Sequence, residues 1–501
     1  MTEETSNLGL LFAHNLDRET PAAVDLRVPD HPWVVTFREL DERCNAVARA
    51  LVARGLGPGD RLALLALNRI EYVEVLLGAL RAGCVPIPIN IKLPRETVHL
   101  ILADAGARLA FAEPPWRDLV GADAPVVDLD ADYEAWLDPG PFEALPVAPD
   151  QVSMQPYTAG TTGRPKGVLL THRGQGWAMR VLTEHRRIGS REHILISAPF
   201  FHKNALVAIK TSLYPGACLV ILPRFDARAS LEAIERYGIT MLTGVPTMLH
   251  LMLDEADRSA PRDLSTVRTV SMGSSPASDT LLARIARAFP GARIQLNYGI
   301  TEGGPIMLGW FHPEDKPRPL DSVGYPMPGC EYRFEGGPHA REGELVVRNP
   351  GVALGYHNLP AITAERFGDG WFRTGDILRQ DEEGWFYFVG RVDDMFVTGG
   401  ENVYPGELEA VLERHPDIVQ ATVLPFPHEV KGMVPYAFVV VRPGCRPDEQ
   451  AVKAYALAHA PAYMHPRRVF FVPRIPLTGT NKVDREALRR VAASDAGNAE
   501  E

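Results

Sequence analysis

The sequence is poor in cysteine, and its few cysteines show no pairing pattern. Five are scattered over 501 residues, none in a C-x-x-C motif: Cys44, Cys84, Cys218, Cys330 and Cys445. An odd number with such spacing disfavours both a disulfide framework and a zinc site. We therefore expect reduced, mostly buried thiols.

The chain also lacks an excess of positive charge. Its formal net charge is −11 and its isoelectric point is near 5.8. General binding to nucleic acid or to an anionic membrane is therefore disfavoured, although local basic patches could still bind phosphates.

Long apolar runs and targeting segments are missing as well. The first residues, MTEETSNLGL, lack the positive segment and apolar run of a signal peptide, and no uninterrupted apolar run is long enough to span a bilayer. The last residues, GNAEE, carry no peroxisomal or lipidation signal. We expect a cytoplasmic protein that does not insert into a membrane.

What the sequence does contain is a repeated alternation of strand and helix patterns. RLALLAL (61–67) is typical of a buried strand and is followed by the helical pattern EYVEVLLGALRAG (71–83). Strand patterns return at HILISAP (193–199) and ITMLT (239–243). Such alternation predicts parallel sheets covered by helices, the α/β class. The glycines of GLGPGD (55–60) precede a strand, so they indicate a turn and not a dinucleotide site.

The alternation restarts with shorter units after the stretch GRVDDMFVTGGENVYPGELE (390–409). A helical pattern at ELEAVLERH (407–415) is followed by strand patterns at ATVLPF (421–426) and YAFVVV (436–441). This restart predicts a second, smaller domain.

One stretch, YTAGTTGRPKGV (157–168), is rich in glycine and threonine and unsuited to a helix or a core. Such a loop exposes backbone N–H groups that can converge on an oxyanion, and Lys166 adds a positive charge, so phosphate is the expected ligand. It is not a Walker A loop, since Pro165 precedes the lysine and Gly167 follows it. Taken alone, it could be a plain surface turn.

Together with five further motifs, this loop resembles that of the adenylate-forming enzymes, the superfamily of acyl- and aryl-CoA ligases, peptide-synthetase adenylation domains and beetle luciferases. The other motifs are PFFHKNAL (199–206), NYGITEGGP (297–305), WFRTGD (371–376), GRVDDMFVTGGENVYPGELE (390–409) and PLTGTNKVDREAL (476–488). They occur in the family's order and span almost the whole chain. The motifs are most similar to acid–CoA ligases of the chlorobenzoate and coumarate type.

The resemblance implies a fold and a reaction. It implies a large N-terminal domain of helix-covered mixed or parallel sheets (1–391), a hinge (392–394) and a small mobile α+β C-terminal domain (395–501). Such an enzyme joins an acid to ATP, forming acyl-AMP and pyrophosphate, and a thiol then displaces AMP. The implied co-substrates are ATP and coenzyme A, with Mg²⁺ as cofactor.

By the same resemblance, several segments contribute to the ATP site. Tyr298 would stack on adenine, Asp376 would bind the ribose hydroxyls, and Arg391 would reach ribose or phosphate. The full implied set is Thr158, Gly160, Thr161, Thr162, Gly163, Lys166, Gly273, Ser274, Ser275, Asn297, Tyr298, Gly299, Asp376, Arg391 and Asn402.

The resemblance also implies catalytic residues. Glu302 is the implied Mg²⁺ ligand, with Thr301 beside it at the α-phosphate. Lys482 would bridge the attacking carboxylate and the α-phosphate. His202 would border the acyl pocket and move between the half-reactions. Rotation about Asp393 would then bring Gly399 and Gly400 to the site, where they line a tunnel for the pantetheine of CoA.

The implied acid-binding residues leave the substrate open. They are His202, Lys203, Asn204, Gly273 and Gly299. Amino-acid-activating relatives have an aspartate where this chain has Lys203, which argues against α-amino acids. If Lys203 faces the pocket, a small hydroxy or dicarboxylic acid is favoured. If it points away, an aryl or medium-chain acid is equally well accommodated.

Other functions of the same fold stay open at this point. They are a luciferase-like adenylating oxygenase, a free-standing enzyme that loads a carrier protein, and an inactive binding protein. The joint presence of Lys482, Glu302 and Asp376 argues against the last of these. A homodimer is left open by the sequence.

Overall fold

The computed structural model of the chain describes residues 7–158, 164–274, 277, 279–398, 401–477 and 483–497. Helices recur along these described residues: α1 (Phe37–Ala53), α2 (Ile70–Arg81), α3 (Arg95–Ala105), α4 (Arg117–Val120), α5 (Tyr133–Trp136), α6 (His172–Arg186), α7 (Lys203–Leu213), α8 (Ala227–Tyr237), α9 (Pro246–Arg258), α10 (Asp279–Ala288), α11 (Pro360–Arg366), α12 (Pro405–Glu413), α13 (Glu449–His459) and α14 (Arg485–Gly497).

Strands alternate with these helices over most of the chain. They are β1 (Ala23–Asp25), β2 (Trp33–Val35), β3 (Arg61–Leu65), β4 (Val85–Pro88), β5 (Ala107–Ala112), β6 (Val126–Asp128), β7 (Val152–Met154), β8 (Tyr157–Thr158), β9 (Lys166–Gly167), β10 (Leu170–Thr171), β11 (His193–Ile196), β12 (Cys218–Ile221), β13 (Met241–Gly244), β14 (Thr269–Gly273), β15 (Arg293–Asn297), β16 (Leu308–Trp310), β17 (Tyr325–Pro326), β18 (Glu331–His339), β19 (Glu342–Arg348), β20 (Phe372–Gln380), β21 (Phe386–Arg391), β22 (Phe396–Thr398), β23 (Glu401–Val403), β24 (Ile418–His428), β25 (Gly432–Val441) and β26 (Arg468–Phe471).

Local sequence sets the ends of several helices. Thr36 and Glu39 form a reciprocal capping box at the start of α1, and Gly55 follows its end with φ of +73°. Asp226 accepts a hydrogen bond from a backbone N–H in the first turn of α8, and Gly238 ends that helix with φ of +58°. These helices therefore begin and end where their capping residues allow.

The chain divides into two compact units. The first contains the described residues within Met1–Ala277, Leu281–Arg333 and Val346–Thr374, and the second those within Ser278–Thr280, Phe334–Leu345 and Gly375–Glu501. The α/β class, with a large N-terminal and a small C-terminal part, is confirmed. The predicted boundaries at residues 391 and 395 stay a prediction.

Two parallel sheets form the core of the first unit. One has the order β15-β14-β13-β11-β12-β1-β2 and is parallel except at its edge strand β2. The other, β4-β3-β5-β6, is fully parallel. In the first sheet, register brings the carboxyl ends of β14 and β15 side by side, with Gly273 opposite Asn297. The carboxyl ends of parallel strands are where α/β folds usually place their ligands.

The second unit is built on a five-stranded sheet. Strands β23-β22-β25-β24 are antiparallel neighbours, and β26 pairs in parallel with β25. Helices α12 and α13 contribute Leu408, Leu412, Val452 and Ala456 to its core. Most residues of a four-stranded sheet, β18-β19-β20-β21, also belong to this unit.

The remaining general expectations concern thiols and membranes. All five cysteines are free, and Cys44, Cys84 and Cys218 are buried. None of the described helices is both long enough and apolar enough to cross a membrane.

Candidate active site

A two-stranded hairpin carries the glycine- and threonine-rich loop. Thr158 on β8 pairs with Lys166 on β9, so these two residues flank the loop. Just beyond β9, Val168 forms a β-bridge with Tyr356, which anchors the hairpin to a distant segment. Four predicted phosphate-binding residues lie outside the described residues: Gly160, Thr161, Thr162 and Gly163.

Glu302 connects the hairpin to Tyr356. Its Oε1 accepts hydrogen bonds from the hydroxyls of Thr158 (3.0 Å) and Tyr356 (3.2 Å). The Lys166 ammonium lies 4.6 Å from the centroid of the Tyr356 ring, within the range of a cation–π interaction. Three predicted residues are thus brought together by a tyrosine that the sequence analysis missed. No local signal identifies it, because Tyr356 and Glu302 are 54 residues apart.

The surroundings of Glu302 fit a hard divalent cation. Both hydroxyls donate to the same carboxylate oxygen, Oε1. A single carboxylate beside a phosphate loop is typical of Mg²⁺ sites, where phosphate and water oxygens complete the coordination shell. In the described part of the chain, no group of three or more His, Cys, Asp and Glu side chains is placed to hold a metal alone. The donors therefore suit a Mg²⁺ ion that shares substrate phosphates.

The segment after β15 approaches neighbouring backbone closely. Tyr298 is only 8% exposed and exchanges two backbone hydrogen bonds with Leu308, both of 3.1 Å. At Gly299 a Cβ atom would lie 2.4 Å from the carbonyl oxygen of Pro305, so only glycine fits there. Thr301 lies half-buried two residues farther on.

The end of β14 adds the expected turn. Gly273 lies opposite Asn297, whose side-chain amide donates to the Ser271 hydroxyl (3.0 Å). Ser274 has φ of +71°, a conformation uncommon for a residue other than glycine. Ser275 lies outside the described residues. Gly273, Ser274 and Asn297 are thus adjacent at the carboxyl edge of the sheet.

The start of α7 holds the residues predicted for the acid. His202 is the N-cap residue, and Lys203 and Asn204 are the first two residues of the helix. The Lys203 ammonium donates to the carbonyl of Gly299, and the Asn204 amide donates to the carbonyl of Gly244 (3.3 Å). Both contacts tie α7 to the carboxyl ends of β13 and β15.

A cavity lies where these elements meet. Its lining includes six residues predicted for the acid or for ATP, namely Lys203, Asn204, Gly273, Ser274, Asn297 and Gly299. The side chains of Val207 and Ile306 add an apolar part of the wall. Lys203 therefore faces this cavity, which has both polar and apolar surface.

Arg186, the last residue of α6, lines the same cavity and was missed in the sequence analysis. It is 3% exposed, and burial lowers the pKa of its guanidinium to about 10, so it stays charged at neutral pH. Its Nε and Nη1 have no hydrogen-bond partner among the described residues. The sequence did hold a signal: Arg186 follows buried Met179 and Leu182 at helical spacing, so it is a charge on an apolar face.

In the second unit, the two residues predicted for the ribose lie on adjacent strands. Asp376 on β20 is directly opposite Arg391 on β21, with 3.5 Å between Arg391 Nε and Asp376 Oδ1. Asp376 is buried, whereas Arg391 is exposed. The pair is thus formed within this unit alone.

The predicted hinge residue and its neighbours also belong to the second unit. Asp393 is exposed in a 3₁₀ turn (Val392–Asp394), and Asp394 forms two hydrogen bonds of 2.6 and 2.7 Å with Arg485. Asn402 lies on β23 opposite Val397, and its side chain is outside the described part of the chain. Lys482, Gly399 and Gly400 lie outside the described residues.

Comparison with protein families gives two matches. Residues 13–357 match the model for the AMP-binding enzyme family, and residues 407–482 match the model for the AMP-binding enzyme C-terminal domain. A feruloyl-CoA synthase from Amycolatopsis sp is 35% identical over 472 residues, which cover 91% of this chain and 94% of the relative.

Solved structures with the same fold cover almost the whole chain. The anthranilate CoA ligase AuaEII in complex with anthranoyl-AMP has a TM-score of 0.87 at 25% identity, over 97% of this chain and 98% of that one. O-succinylbenzoate coenzyme A synthetase (MenE) from Bacillus subtilis, in complex with ATP and magnesium ion, has a TM-score of 0.83 at 28% identity, over 96% and 99% of the two chains.

Proposed function

This chain belongs to the AMP-binding enzyme family, and from that premise we propose how its residues divide the reaction. The protein is an AMP-forming acid–CoA ligase that uses ATP, Mg²⁺ and coenzyme A. Its acid is activated as an acyl-AMP and then transferred to the CoA thiol. The roles of individual residues and the class of acid are the proposal.

In the first half-reaction, an oxygen of the acid carboxylate attacks the α-phosphorus of ATP. The bond from this phosphorus to pyrophosphate breaks, and acyl-AMP remains. Lys482 neutralises the repulsion between the two anions and stabilises the charge that develops. Thr301 contacts the α-phosphate, and His202 borders the acyl group. The motifs around these three residues support the assignment.

The β- and γ-phosphates are bound by the loop that Thr158 and Lys166 flank. The loop residues that contribute are Gly160, Thr161, Thr162 and Gly163. Glu302 would hold Mg²⁺, which when bound would supply positive charge that offsets the charge of the phosphates. The observation that carries this assignment is the hydrogen bonding of Glu302 to Thr158 and Tyr356, which fixes the carboxylate beside the loop.

Several segments of the chain bind the nucleoside. Tyr298 stacks on adenine, with Gly273, Ser274, Ser275, Asn297 and Gly299 along its edge. Asp376 accepts hydrogen bonds from the ribose hydroxyls, and Arg391 and Asn402 contact ribose or phosphate. The pairing of Asp376 with Arg391 supports a shared role for these two residues.

In the second half-reaction, the CoA thiol attacks the acyl carbonyl carbon, and AMP leaves. We infer that residues 395–501 rotate about Asp393 as a C-terminal domain before this step, while residues 1–391 remain as the N-terminal domain. Gly399 and Gly400 then line the pantetheine path. The 3₁₀ turn at Val392–Asp394, in which Asp393 is exposed, supports a pivot there.

The acid is a small polar one, with a hydroxyl or a second carboxylate. Lys203 lines the cavity, which supports this class. Membership of the family does not by itself fix the acid. The similar proteins are named for three different ones: anthranilate, o-succinylbenzoate and the acid of feruloyl-CoA. An aryl or medium-chain acid is the alternative, supported by the apolar wall at Val207 and Ile306.

The assignment is tested by CoA-dependent AMP release over a panel of short hydroxy, dicarboxylic, aryl and fatty acids. Acid-dependent exchange of label between ATP and pyrophosphate reports the first half-reaction separately. We expect both signals from the wild type and loss of the exchange in Glu302→Gln. AMP release that needs a carrier protein or O₂ in place of CoA would contradict the acceptor assigned here.

We also propose that the enzyme acts in the cytoplasm, which its free cysteines support. A homodimer stays a prediction.

A further inference from the structure

Arg186 differs from the other buried arginines of the first unit. Arg69 donates hydrogen bonds of 2.7 to 2.9 Å to the carboxylates of Glu71 and Glu113. Arg81 donates a hydrogen bond of 2.7 Å to the carboxylate of Asp41. Arg186 is buried to the same extent, yet its Nε and Nη1 have no partner among the described residues. A buried charge without a partner is costly, so it requires an explanation.

Nearby charged groups do not compensate Arg186. The adjacent His185 has its pKa lowered to about 3, first by burial and then by Arg186, Arg318 and Arg293, so several cations converge here. Arg293 donates to the carbonyl of Arg186 (3.1 Å), not to an acid. Arg186 lies at the carboxyl end of α6, where the helix dipole favours a cation. This favourable interaction is smaller than the cost of burying an unpaired charge.

The cavity shares this positive character. Among the described residues that line it, Arg186 and Lys203 are basic and none is acidic. The Lys203 ammonium already donates to a backbone carbonyl. Arg186 contributes two further donors, Nε and Nη1, which have no partner among the described residues.

Arg186 also lies at the opposite end of helix α6 from the β8–β9 hairpin. Helix α6 begins directly after β10, close to the hairpin that carries the loop, and runs for 15 residues to Arg186. At 1.5 Å per residue this separates its two ends by about 22 Å. Arg186 therefore lines the cavity from the end of α6 opposite that hairpin, which supports a contact with the part of the acid remote from the reacting carboxyl group.

We propose that Arg186 binds a second carboxylate at the remote end of the acid substrate, so that this ligase prefers short dicarboxylic acids. The guanidinium donates charge-assisted hydrogen bonds to that carboxylate from donors that have no partner among the described residues. This inference rests on the proposed function, and within it selects the dicarboxylic class over hydroxy, aryl and fatty acids.

Matched acids test the preference. Glutarate, pentanoate and glutarate monomethyl ester share a carbon skeleton and differ in the remote group, and the corresponding C3, C4 and aryl sets extend the comparison. We expect wild-type kcat/KM to favour the diacid of at least one set over its monoacid tenfold or more. Arg186→Met should lower kcat/KM for that diacid 10- to 100-fold, mainly through KM, and spare the monoacid. Arg186→Lys should restore part of the preference.

A binding measurement separates this role from a structural one. Dicarboxylates without ATP should raise the melting temperature of the wild type and of Arg180→Met, a control that removes an exposed arginine from the same helix. They should not raise that of Arg186→Met. This variant should itself melt at or above the wild-type temperature, because it removes an unpaired buried charge.

The outcomes distinguish the two assignments. If no acid supports pyrophosphate exchange, the assigned reaction fails, while dicarboxylate stabilisation lost in Arg186→Met would still support the anion site. If monoacids are preferred, or if Arg186→Met lowers activity equally for both members of each pair, the inference is overturned and the ligase assignment stands. An equal melting shift from sulfate would mean a general anion site and would also overturn it.

Discussion

Removing a single hydroxyl, in Tyr356→Phe, tests whether Glu302 is held in place for the first half-reaction. The substitution keeps the ring that lies beneath Lys166 and packs against Phe367, with ring centroids 5.4 Å apart. It removes the hydrogen bond of 3.2 Å that the hydroxyl donates to Glu302 Oε1.

The expected magnitude follows from the surroundings of the carboxylate. A hydrogen bond to a charged group contributes about 1.5–3 kcal/mol. Because Glu302 is half-buried and Oε1 keeps its bond to Thr158, we expect the lower end, roughly 1.5 kcal/mol, which is about a tenfold loss. Thr158→Val should cost a similar amount. The double variant should lose more than the sum of the two single losses, since both described donors to Oε1 are then gone.

The assay measures kcat/KM for ATP in pyrophosphate exchange at several Mg²⁺ concentrations. Thioester formation from supplied acyl-AMP should stay at the wild-type level, because it needs no Mg²⁺–phosphate contact. Tyr72→Phe is the matched control: Tyr72 is buried, and its hydroxyl has no partner in the described part of the chain. Normal exchange in Tyr356→Phe, or equal loss in both half-reactions, would refute the reasoning.

Three further substitutions probe the other assignments. Lys482→Ala should abolish most acyl-AMP formation and leave thioester formation from acyl-AMP largely intact, and equal loss in both would contradict its role. Asp393→Pro should do the reverse, since proline fixes φ at a value that suits the observed 3₁₀ turn but prevents rotation; normal thioester synthesis would place the hinge elsewhere. Lys203→Met should lower kcat/KM for a polar acid by roughly 1.5–3 kcal/mol and spare an apolar acid of similar size. An equal fall in kcat/KM for both acids would indicate that Lys203 serves only to hold Gly299 in place. An unchanged kcat/KM for both would mean that Lys203 does not contact the acid.

The sequence by itself determined the fold class and the reaction. Strand and helix periodicities predicted the parallel sheets, because side chains alternate every two residues in a strand and return every 3.6 in a helix. Capping residues such as Thr36 and Gly238 act within one or two helical turns, so their effect can be predicted from the local sequence. The ordered motifs identified the ligase chemistry without any knowledge of which side chains touch.

Only the tertiary structure decided how these residues are arranged in space. Tyr356 joins Glu302 to Lys166 because a β-bridge aligns two segments far apart in the chain, and no local pattern encodes that pairing. The sequence left open whether the Lys203 side chain faces the acid pocket. The packing of α7 against the carboxyl ends of β13 and β15 decides its direction. For Arg186, the sequence indicated its position on the apolar face of a helix, but not that its Nε and Nη1 have no hydrogen-bond partner among the described residues. Whether a buried charge is paired depends on every element that surrounds it, and therefore on the complete fold.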